Sequence, residues 1–453
     1  MRPRKRELTP EEAEKRTRIL YWWLLVVIFF EYARPAAYFA PLRILPLNSL
    51  LPLSLLMVTF FARGLRPWTK IFEDSLTKWL FIYVGAVFLS MMWASVQMYA
   101  FNIFKTVLGY LFIFIMIARI VTTRQRLYGV FGTLIVAHLF LIVMNPAIVL
   151  NPAERNYIVG GTFLGDGNDF ALSLCILLGL SVQLANAAES KRKKIFYWGV
   201  LGILVLAVIG TQSRGGTLGM AAVFGYLWWR SPRKGLGVLA IGIAVVGILL
   251  YAPDVYFERM RTIVNPQQES SAEGRLQAWR AGINMALDNA LGVGAGNFPH
   301  AFPKYRSATA PVRWMTAHSM YFLILGELGF LGLLLLLRLV FGNALANAKL
   351  RERIAQEQID PAQRDASIRL LNNTNASVAG FAVAGAFLSV AYYPHVFVLG
   401  ALLLCARSMV AESAGLSLAT AKARLPARRR ALAHEGEARP VQSFSSSRRA
   451  ASR

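Results

Sequence analysis

Apolar stretches of about 15 to 22 residues, separated by short polar segments, recur along most of the chain. Such stretches fit helices that cross a bilayer, and they lack the alternating pattern of barrel strands. The pattern predicts an all-α polytopic membrane protein with about twelve transmembrane helices. The predicted spans are Ile19–Phe39, Ile44–Phe61, Thr77–Ala94, Phe104–Ala118, Leu127–Met144, Phe163–Leu184, Ile195–Ile209, Gly215–Trp229, Gly235–Tyr251, His318–Leu337, Val378–Ala391 and Pro394–Met409.

The distribution of charge orients these spans. With the N-terminus inside, about three-quarters of the 49 Lys and Arg residues fall in inner segments, and the short outer loops carry almost none. This asymmetry predicts an even number of spans with both termini cytoplasmic, as in a multi-pass protein of the bacterial inner membrane. The net charge of +25 is then explained by orientation and by contact with anionic membrane lipids, so we expect no nucleic-acid partner.

Composition divides the chain into four regions. These are a basic cytoplasmic N-terminus (1–18), an N-terminal transmembrane bundle (19–155), a membrane domain (156–410) and a basic, Ser- and Ala-rich tail (411–453) without fixed structure. The membrane domain includes one large periplasmic loop, 252–317, which is predicted to carry short helices. Cys175 and Cys405 lie within separate apolar spans and are predicted to be packing residues rather than a disulfide.

Arg214 stands in the polar segment Gly210-Thr-Gln-Ser-Arg214-Gly215-Gly216, at the end of the bundle where short loops otherwise lack positive charge. The following span has fifteen predicted residues, which rise about 22 Å against a hydrocarbon core of about 30 Å, so Arg214 should be recessed. A recessed Arg is costly unless it has a partner. The two glycines permit close backbone approach, and the helix they open directs its positive end outward, which predicts a phosphate site. The alternative is an Arg that snorkels or pairs with a carboxylate such as Asp166.

The outer loop contains a second group of cations. Leu276, Trp279, Ile283 and Leu287 follow helical spacing and predict a helix that lies on or packs into the outer face. Arg275 and Arg280 would be about 140° apart around it, so one ligand group does not receive both. Arg275, beside Trp279, is the first choice and Arg280 the second, although such a stripe, taken alone, is more often ordinary interfacial packing. The later run Gly292-Val-Gly-Ala-Gly296 predicts a turn, because no strand precedes it as a nucleotide loop requires.

His318 is the candidate base. It is predicted to open a span at the outward N-terminus of a helix, whose dipole disfavours imidazolium and favours a neutral, proton-accepting ring. A structural hydrogen-bonding role is the alternative. Glu327 lies about two and a half turns deeper and is predicted to be structural, and His395 has a weaker context. No cluster has zinc-ligand spacing, so neither metal nor cofactor is expected.

These groups fit glycosyl transfer from a lipid pyrophosphate. The leaving pyrophosphate is a weak base and needs cationic stabilisation, which Arg supplies through paired donors. The acceptor hydroxyl is a poor nucleophile, and a neutral His can remove its proton. One base with one or two Arg is a sufficient set.

The chain resembles the O-antigen ligase and polymerase superfamily over about residues 156–409. The matching pieces, in order, are Gly161-Thr-Phe-Leu-Gly-Asp-Gly-Asn168-Asp169-Phe-Ala, Ser213-Arg214-Gly-Gly, Gly274-Arg275-Leu-Gln-Ala-Trp279, Gly292-Val-Gly-Ala-Gly-Asn297-Phe, Ala317-His318-Ser-Met-Tyr321 and Glu327-Leu-Gly-Phe-Leu-Gly332.

The resemblance implies that Arg214 and Arg275 contact a polyprenyl pyrophosphate, that His318 activates the acceptor, and that the anomeric carbon is inverted. Arg280, Gly215, Gly216, Trp279 and Asn168 complete the expected substrate-binding set. Many members carry Asn after the His, where this chain has Ser319, so the resemblance does not extend to a side-chain amide contact with the acceptor.

Several functions share this chemistry. The leading hypothesis is a ligase that moves a preassembled glycan from polyprenyl pyrophosphate to lipid A-core, and the acceptor could instead be another glycan, as in a polymerase, or a protein hydroxyl. A transporter is the competing class, and it predicts midplane charges and paired broken helices.

Overall fold

A computed structural model describes residues 10–154, 156–158, 163–261, 270–307 and 315–418. Within these ranges the chain forms α-helices and three short 3-10 helices, and it contains no β-strand. The α-helices are α1 (Pro10–Ala33), α2 (Leu47–Phe61), α3 (Trp68–Glu73), α4 (Ser75–Leu89), α5 (Gln97–Ile120), α6 (Arg124–Met144), α7 (Ala147–Leu150), α8 (Gly167–Ala187), α9 (Lys191–Gly210), α10 (Arg214–Arg230), α11 (Lys234–Tyr251), α12 (Asp254–Arg261), α13 (Ser270–Asp288), α14 (Phe298–Tyr305), α15 (Met320–Gln356), α16 (Pro361–Gly385) and α17 (Pro394–Ser413).

Each predicted span overlaps one of these helices, and eight helical segments of the described chain are long and apolar enough to cross a membrane. These are Ser75–Met92, Gln97–Ile120, Arg124–Met144, Gly167–Ala187, Lys191–Gly210, Lys234–Tyr251, Met320–Gln356 and Pro394–Ser413. The protein is therefore an all-α polytopic membrane protein, as predicted. The number of twelve spans stays a prediction.

Two predicted boundaries near the site differ from the structure. The span predicted to end at Ala391 instead ends at Gly385, and residues 386–393 form a connection before α17. Apolar composition could not distinguish this connection from a helix end, because it continues the hydrophobic run. The span predicted to open at His318 begins two residues later, at Met320, since His318 adopts a left-handed backbone conformation (φ 48°).

The centre of the bundle is built from α8, α10 and α16, which approach closely through small residues. A Cβ added to Gly216 of α10 would stand 2.5 Å from Cβ of Ala171 on α8. A Cβ added to Gly219 would stand 2.9 Å from Cβ of Ala384 on α16. Small residues at helix interfaces permit this backbone approach in membrane proteins. This close packing fixes α10, whose first residue is Arg214, against α8 and α16.

The opposite end of the bundle is fixed by a buried polar cluster. Arg407 of α17 forms an ion pair with Asp74, and its Nη1 donates to Asn347 Oδ1 at 3.1 Å. Asn347 in turn donates to Asn375 Oδ1 at 2.8 Å. Arg407 lies inside α17, within the predicted span Pro394–Met409, and is buried.

Both cysteines are free and buried, which confirms the prediction that they pack rather than form a disulfide.

Candidate functional site

The turn before Arg214 is enclosed by protein. Thr211, Gln212 and Ser213 are all buried, and Gln212 Nε2 donates to the carbonyl of Pro152 at 2.7 Å. Gln212 takes a left-handed conformation (φ 51°), which turns the chain sharply out of α9. Ser213 then caps α10, because its Oγ accepts from the Gly216 N–H at 3.1 Å. The turn therefore presents Arg214, the first residue of α10, from a fixed and recessed backbone.

Both glycines after Arg214 lie in close packing contacts, and the contact of Gly216 is the tighter. Beside the approach of Gly216 to α8, a Cβ on Gly215 would stand 3.3 Å from Cβ of Phe387. α10 has 17 residues rather than the fifteen predicted, and its rise of about 25 Å is still short of the hydrocarbon core. Any larger residue at Gly216 would separate α10 from α8 and displace Arg214.

Asn168 and Asp166 lie in the same corner as the Arg214 turn. Gly167 opens α8, and a Cβ there would stand 3.6 Å from Cβ of Thr211. Asn168 precedes Ala171 by three residues and so shares the face of α8 that contacts Gly216. Asp166 caps α8, and its Oδ1 accepts from both the backbone N–H of Asn168 (2.7 Å) and its side-chain amide (2.8 Å).

The loop helix α13 exists as predicted, but the face that packs is different. Leu276 and Leu287 are 46% and 67% exposed, and Ile283 is exposed as well. The buried face instead consists of small or flexible residues: Gly274, Gln277, Ala278, Ala281, Gly282, Met285 and Ala286. Leu276, Ile283 and Leu287 therefore do not pack into the protein, because close contact with α15 selects small side chains over large ones. Gly282 shows this, since a Cβ there would stand 2.9 Å from the carbonyl oxygen of Phe322.

Arg275 and Trp279 lie on the part of α13 that meets the segment before His318. A Cβ on Gly274 would stand 3.2 Å from Met315, and Trp279 Nε1 donates to the Ala317 carbonyl at 3.0 Å. The Trp279 ring also stacks on Phe322, with centroids 5.0 Å apart. Trp279 thus holds α13 against the start of α15, and Arg275 is carried beside it. Arg280 is exposed on the outward face of α13.

His318 is held by its backbone. Its N–H donates to Ser389 Oγ at 2.9 Å, and the same hydroxyl is 2.8 Å from Thr316 Oγ1. Ser389 belongs to the 386–393 connection, which also contains Phe387, the residue packed against Gly215. The 386–393 connection therefore contacts both parts of the site. Phe387 packs against Gly215 beside Arg214, and Ser389, two residues later, binds the backbone of His318.

Four helices begin at this corner. The start of α8 lies beside the turn that leads into α10, through Gly167 and Thr211. α15 begins just after His318, and α17 begins where the 386–393 connection ends. Helix N-termini carry partial positive charge, and their N–H groups are suited to anions. The helix ends therefore favour an anion beside Arg214, although Asp166 at the start of α8 contributes an opposing charge.

Three polar residues of the corner were missed by sequence reasoning. Ser389 was assigned to a predicted span, so nothing in the sequence marked it as a hydrogen-bond partner of His318. Tyr393 donates to Asp169 Oδ2 at 3.1 Å, and burial raises the pKa of Tyr393, so its hydroxyl stays protonated and donates. Asp169 stood within a quoted motif without a role. The only available signal was the position of Ser389 and Tyr393 shortly before Pro394, which marks a helix start.

The remaining candidate histidine lies among aromatic side chains. His395 is buried beside Tyr32, Phe163 and Phe381, with ring centroids 5.9, 5.6 and 6.4 Å away. Among the residues described, no group of three or more His, Cys, Asp or Glu side chains is placed to hold a metal ion. The absence of a metal from the reaction stays a prediction.

Residues 199–337 match the O-antigen ligase family model. The match runs from within α9 into α15, and so includes the Arg214 turn, α13 and His318. It supports the predicted resemblance to the O-antigen ligase and polymerase superfamily of membrane glycan transferases. No curated protein matches the chain.

Proposed function

We propose that the protein is a ligase that transfers a preassembled glycan from polyprenyl pyrophosphate to a hydroxyl of lipid A-core on the periplasmic face. The observation that carries this proposal is the convergence of the Arg214 turn and His318 on the 386–393 connection, where four helices begin. A cation site and a candidate base thereby share one corner, as transfer from a charged donor requires.

In this proposal the donor pyrophosphate binds to Arg214 and Arg275. Gly215 and Gly216 let α10 approach Phe387 and α8 closely, and this packing sets the position from which Arg214 reaches the phosphate oxygens. As the glycosidic C–O bond breaks, its electron pair goes to the pyrophosphate, and the two guanidinium groups stabilise the added charge. Asn168, Trp279 and Arg280 are assigned to the borders of the same site.

His318 acts as general base. The neutral imidazole takes the proton of the acceptor hydroxyl while the oxygen attacks the anomeric carbon from the side opposite the pyrophosphate, which inverts that carbon. The Ser389 contact fixes the backbone of His318, and the Trp279 contact fixes Ala317 before it. No metal step is needed in this scheme, because the guanidinium groups supply the positive charge.

A reconstituted transfer assay tests the proposal. Purified protein in proteoliposomes is given a polyprenyl-pyrophosphate oligosaccharide and lipid A-core, with a chelator present throughout. We expect wild-type transfer to continue, and Arg214→Ala to lower it by about 100-fold or more, since removal of one transition-state donor costs about 10²–10³. Arg233→Ala, at an exposed Arg between α10 and α11, is the matched control and should transfer at the wild-type rate. Normal transfer by Arg214→Ala, or loss of wild-type transfer in chelator, would contradict this mechanism.

A further inference from the structure

Glu327 is a carboxylate buried within α15. It is 1% exposed, and within the described chain its oxygens accept hydrogen bonds rather than pairing with a cation. Oε1 accepts from the Phe298 N–H at 2.9 Å, and Oε2 accepts from the Gly296 N–H at 2.8 Å and from the Tyr392 hydroxyl at 2.8 Å. Removing one such partner of a buried charge leaves a costly unsatisfied group. The carboxylate therefore connects three segments: α15, the 296–298 segment and the 386–393 connection.

The helix around Glu327 is opened to receive the glycine loop 292–296. Gly329 has φ 65° and ψ −162°, which interrupts α15, and a Cβ there would overlap the Ala290 carbonyl oxygen. The carbonyls of Gly326 and Glu327 accept instead from the N–H groups of Val293 and Gly294, both at 2.9 Å. The loop thus forms backbone hydrogen bonds with the interrupted helix, and the Glu327 side chain binds the far end of the loop.

The hydrogen bonds of Glu327 reach two segments that both lead to the candidate site. The glycine loop follows α13, which carries Arg275 and Trp279. Tyr392 belongs to the 386–393 connection, whose Ser389 holds the backbone of His318. One carboxylate consequently fixes the element that carries a donor-site Arg and the segment that holds the candidate base.

We infer that Glu327 is a positioning residue for glycan transfer, which sets His318 and Arg275 in register through Tyr392 and the glycine loop. This inference rests on the proposed function for its activity readout, but its structural content stands apart from it. The sequence pattern alone assigned Glu327 a structural role without partners.

Glu327→Gln tests the inference, because the amide keeps the shape but replaces one acceptor oxygen with a donor. At least one of the three hydrogen bonds is lost. In the proteoliposome assay we expect kcat to fall by about 10- to 100-fold with little change in the donor KM. Tyr392→Phe removes one neutral hydrogen bond and should lower kcat less. Glu352→Gln, an exposed Glu on the same helix, is the matched control and should behave as wild type.

Amide hydrogen exchange separates this inference from the proposed function. In Glu327→Gln, peptides covering 291–298 and 315–323 should exchange about 10-fold faster or more, while the melting temperature in detergent stays close to wild type. Unchanged exchange, or a wild-type kcat in an active preparation, would overturn the positioning role. A wild-type protein that transfers nothing would instead remove the proposed function, and the exchange result would still decide the role of Glu327.

Discussion

Backbone strain at single residues marks the candidate site. In the described ranges three residues other than glycine have a positive φ: Arg34, Gln212 and His318. Two of them flank the proposed chemistry, one in the turn before Arg214 and the other at the candidate base. Such conformations persist only when their surroundings fix them, and they recur at functional sites. Here the fixing groups are Pro152, whose carbonyl binds the Gln212 amide, and Ser389, which binds the His318 N–H.

The left-handed backbone of His318 allows a clean substitution. Asn tolerates this conformation better than most residues, so His318→Asn should fold with little added strain. The amide cannot accept a proton as imidazole does, and we expect kcat to fall by about 10²–10⁴-fold. The measurement is single-turnover transfer in proteoliposomes, with the melting temperature as the check on folding. Transfer at the wild-type rate would exclude His318 as the base.

Sequence reasoning reached the residues whose type is unusual for their place. Arg214 was found because a cation at this end of the bundle is rare, and His318 because it is a lone titratable group beside an apolar run. Ser389 was not found, because a hydroxyl in a hydrophobic stretch is unremarkable until its partner is known. Contacts between residues 71 positions apart, such as Ser389 with His318, carry no signal in a single sequence.

Among the helices, α10 depends on its glycine face. Gly219 of this helix approaches three neighbours at once: its Cβ would stand 2.9 Å from Ala384, 3.1 Å from Cys175 Sγ and 3.1 Å from the Gly380 carbonyl oxygen. Gly225, less than two turns further on, has open space around the same position. The two glycines have similar intrinsic effects on a helix and differ in packing alone.

This pair yields a stability prediction. Gly219→Val should lower the free energy of unfolding by about 1–3 kcal/mol through overpacking, while Gly225→Val should leave it unchanged or slightly higher. Thermal unfolding in detergent gives both values under one condition, and the difference between the variants isolates the packing cost. Equal melting temperatures would show that α10 is not held tightly against α8 and α16.

The helix α13 shows where pattern reading failed. Its leucine and isoleucine stripe has clear helical spacing, and the helix itself was predicted correctly. The packed face, however, is chosen by the distance to α15, and a backbone approach as close as that of Gly282 to Phe322 leaves room only for small side chains. Hydrophobicity therefore predicted the element but not its orientation.

At the scale of the whole molecule, the structure bears on the competing transporter hypothesis. Transporters of the inverted-repeat type pair two broken helices at the substrate site. α15 is interrupted at Gly329, which the sequence pattern did not predict, but the opening is filled by the chain's own glycine loop. The break thus serves to attach a loop, and it supports the enzyme proposal over the transporter.

Each span predicted from apolar periodicity and length overlaps a helix of the structure. The prediction succeeds because an apolar run of this size can cross a bilayer in few conformations other than a helix. What the sequence did not supply was the arrangement of those helices. The buried Asp74–Arg407 ion pair joins residues from opposite ends of the chain, and no local pattern indicates it. Charge alone does not distinguish a buried ion pair from an exposed one.

The side of the membrane on which Arg214 lies is inferred from the distribution of charge, and labelling of two cysteine variants tests it. Arg233 directly precedes α11, and Val255 lies after it, at the start of α12. Both side chains are exposed and the natural cysteines are buried, so labelling reports the introduced thiol. Val255 also reports directly on Arg214, because its neighbour Tyr256 is hydrogen-bonded to Thr217, three residues after Arg214, at 3.0 Å. We expect a membrane-impermeant maleimide to label Val255→Cys in intact spheroplasts and Arg233→Cys only after permeabilisation. The reverse pattern would place Arg214 on the cytoplasmic side and contradict periplasmic transfer.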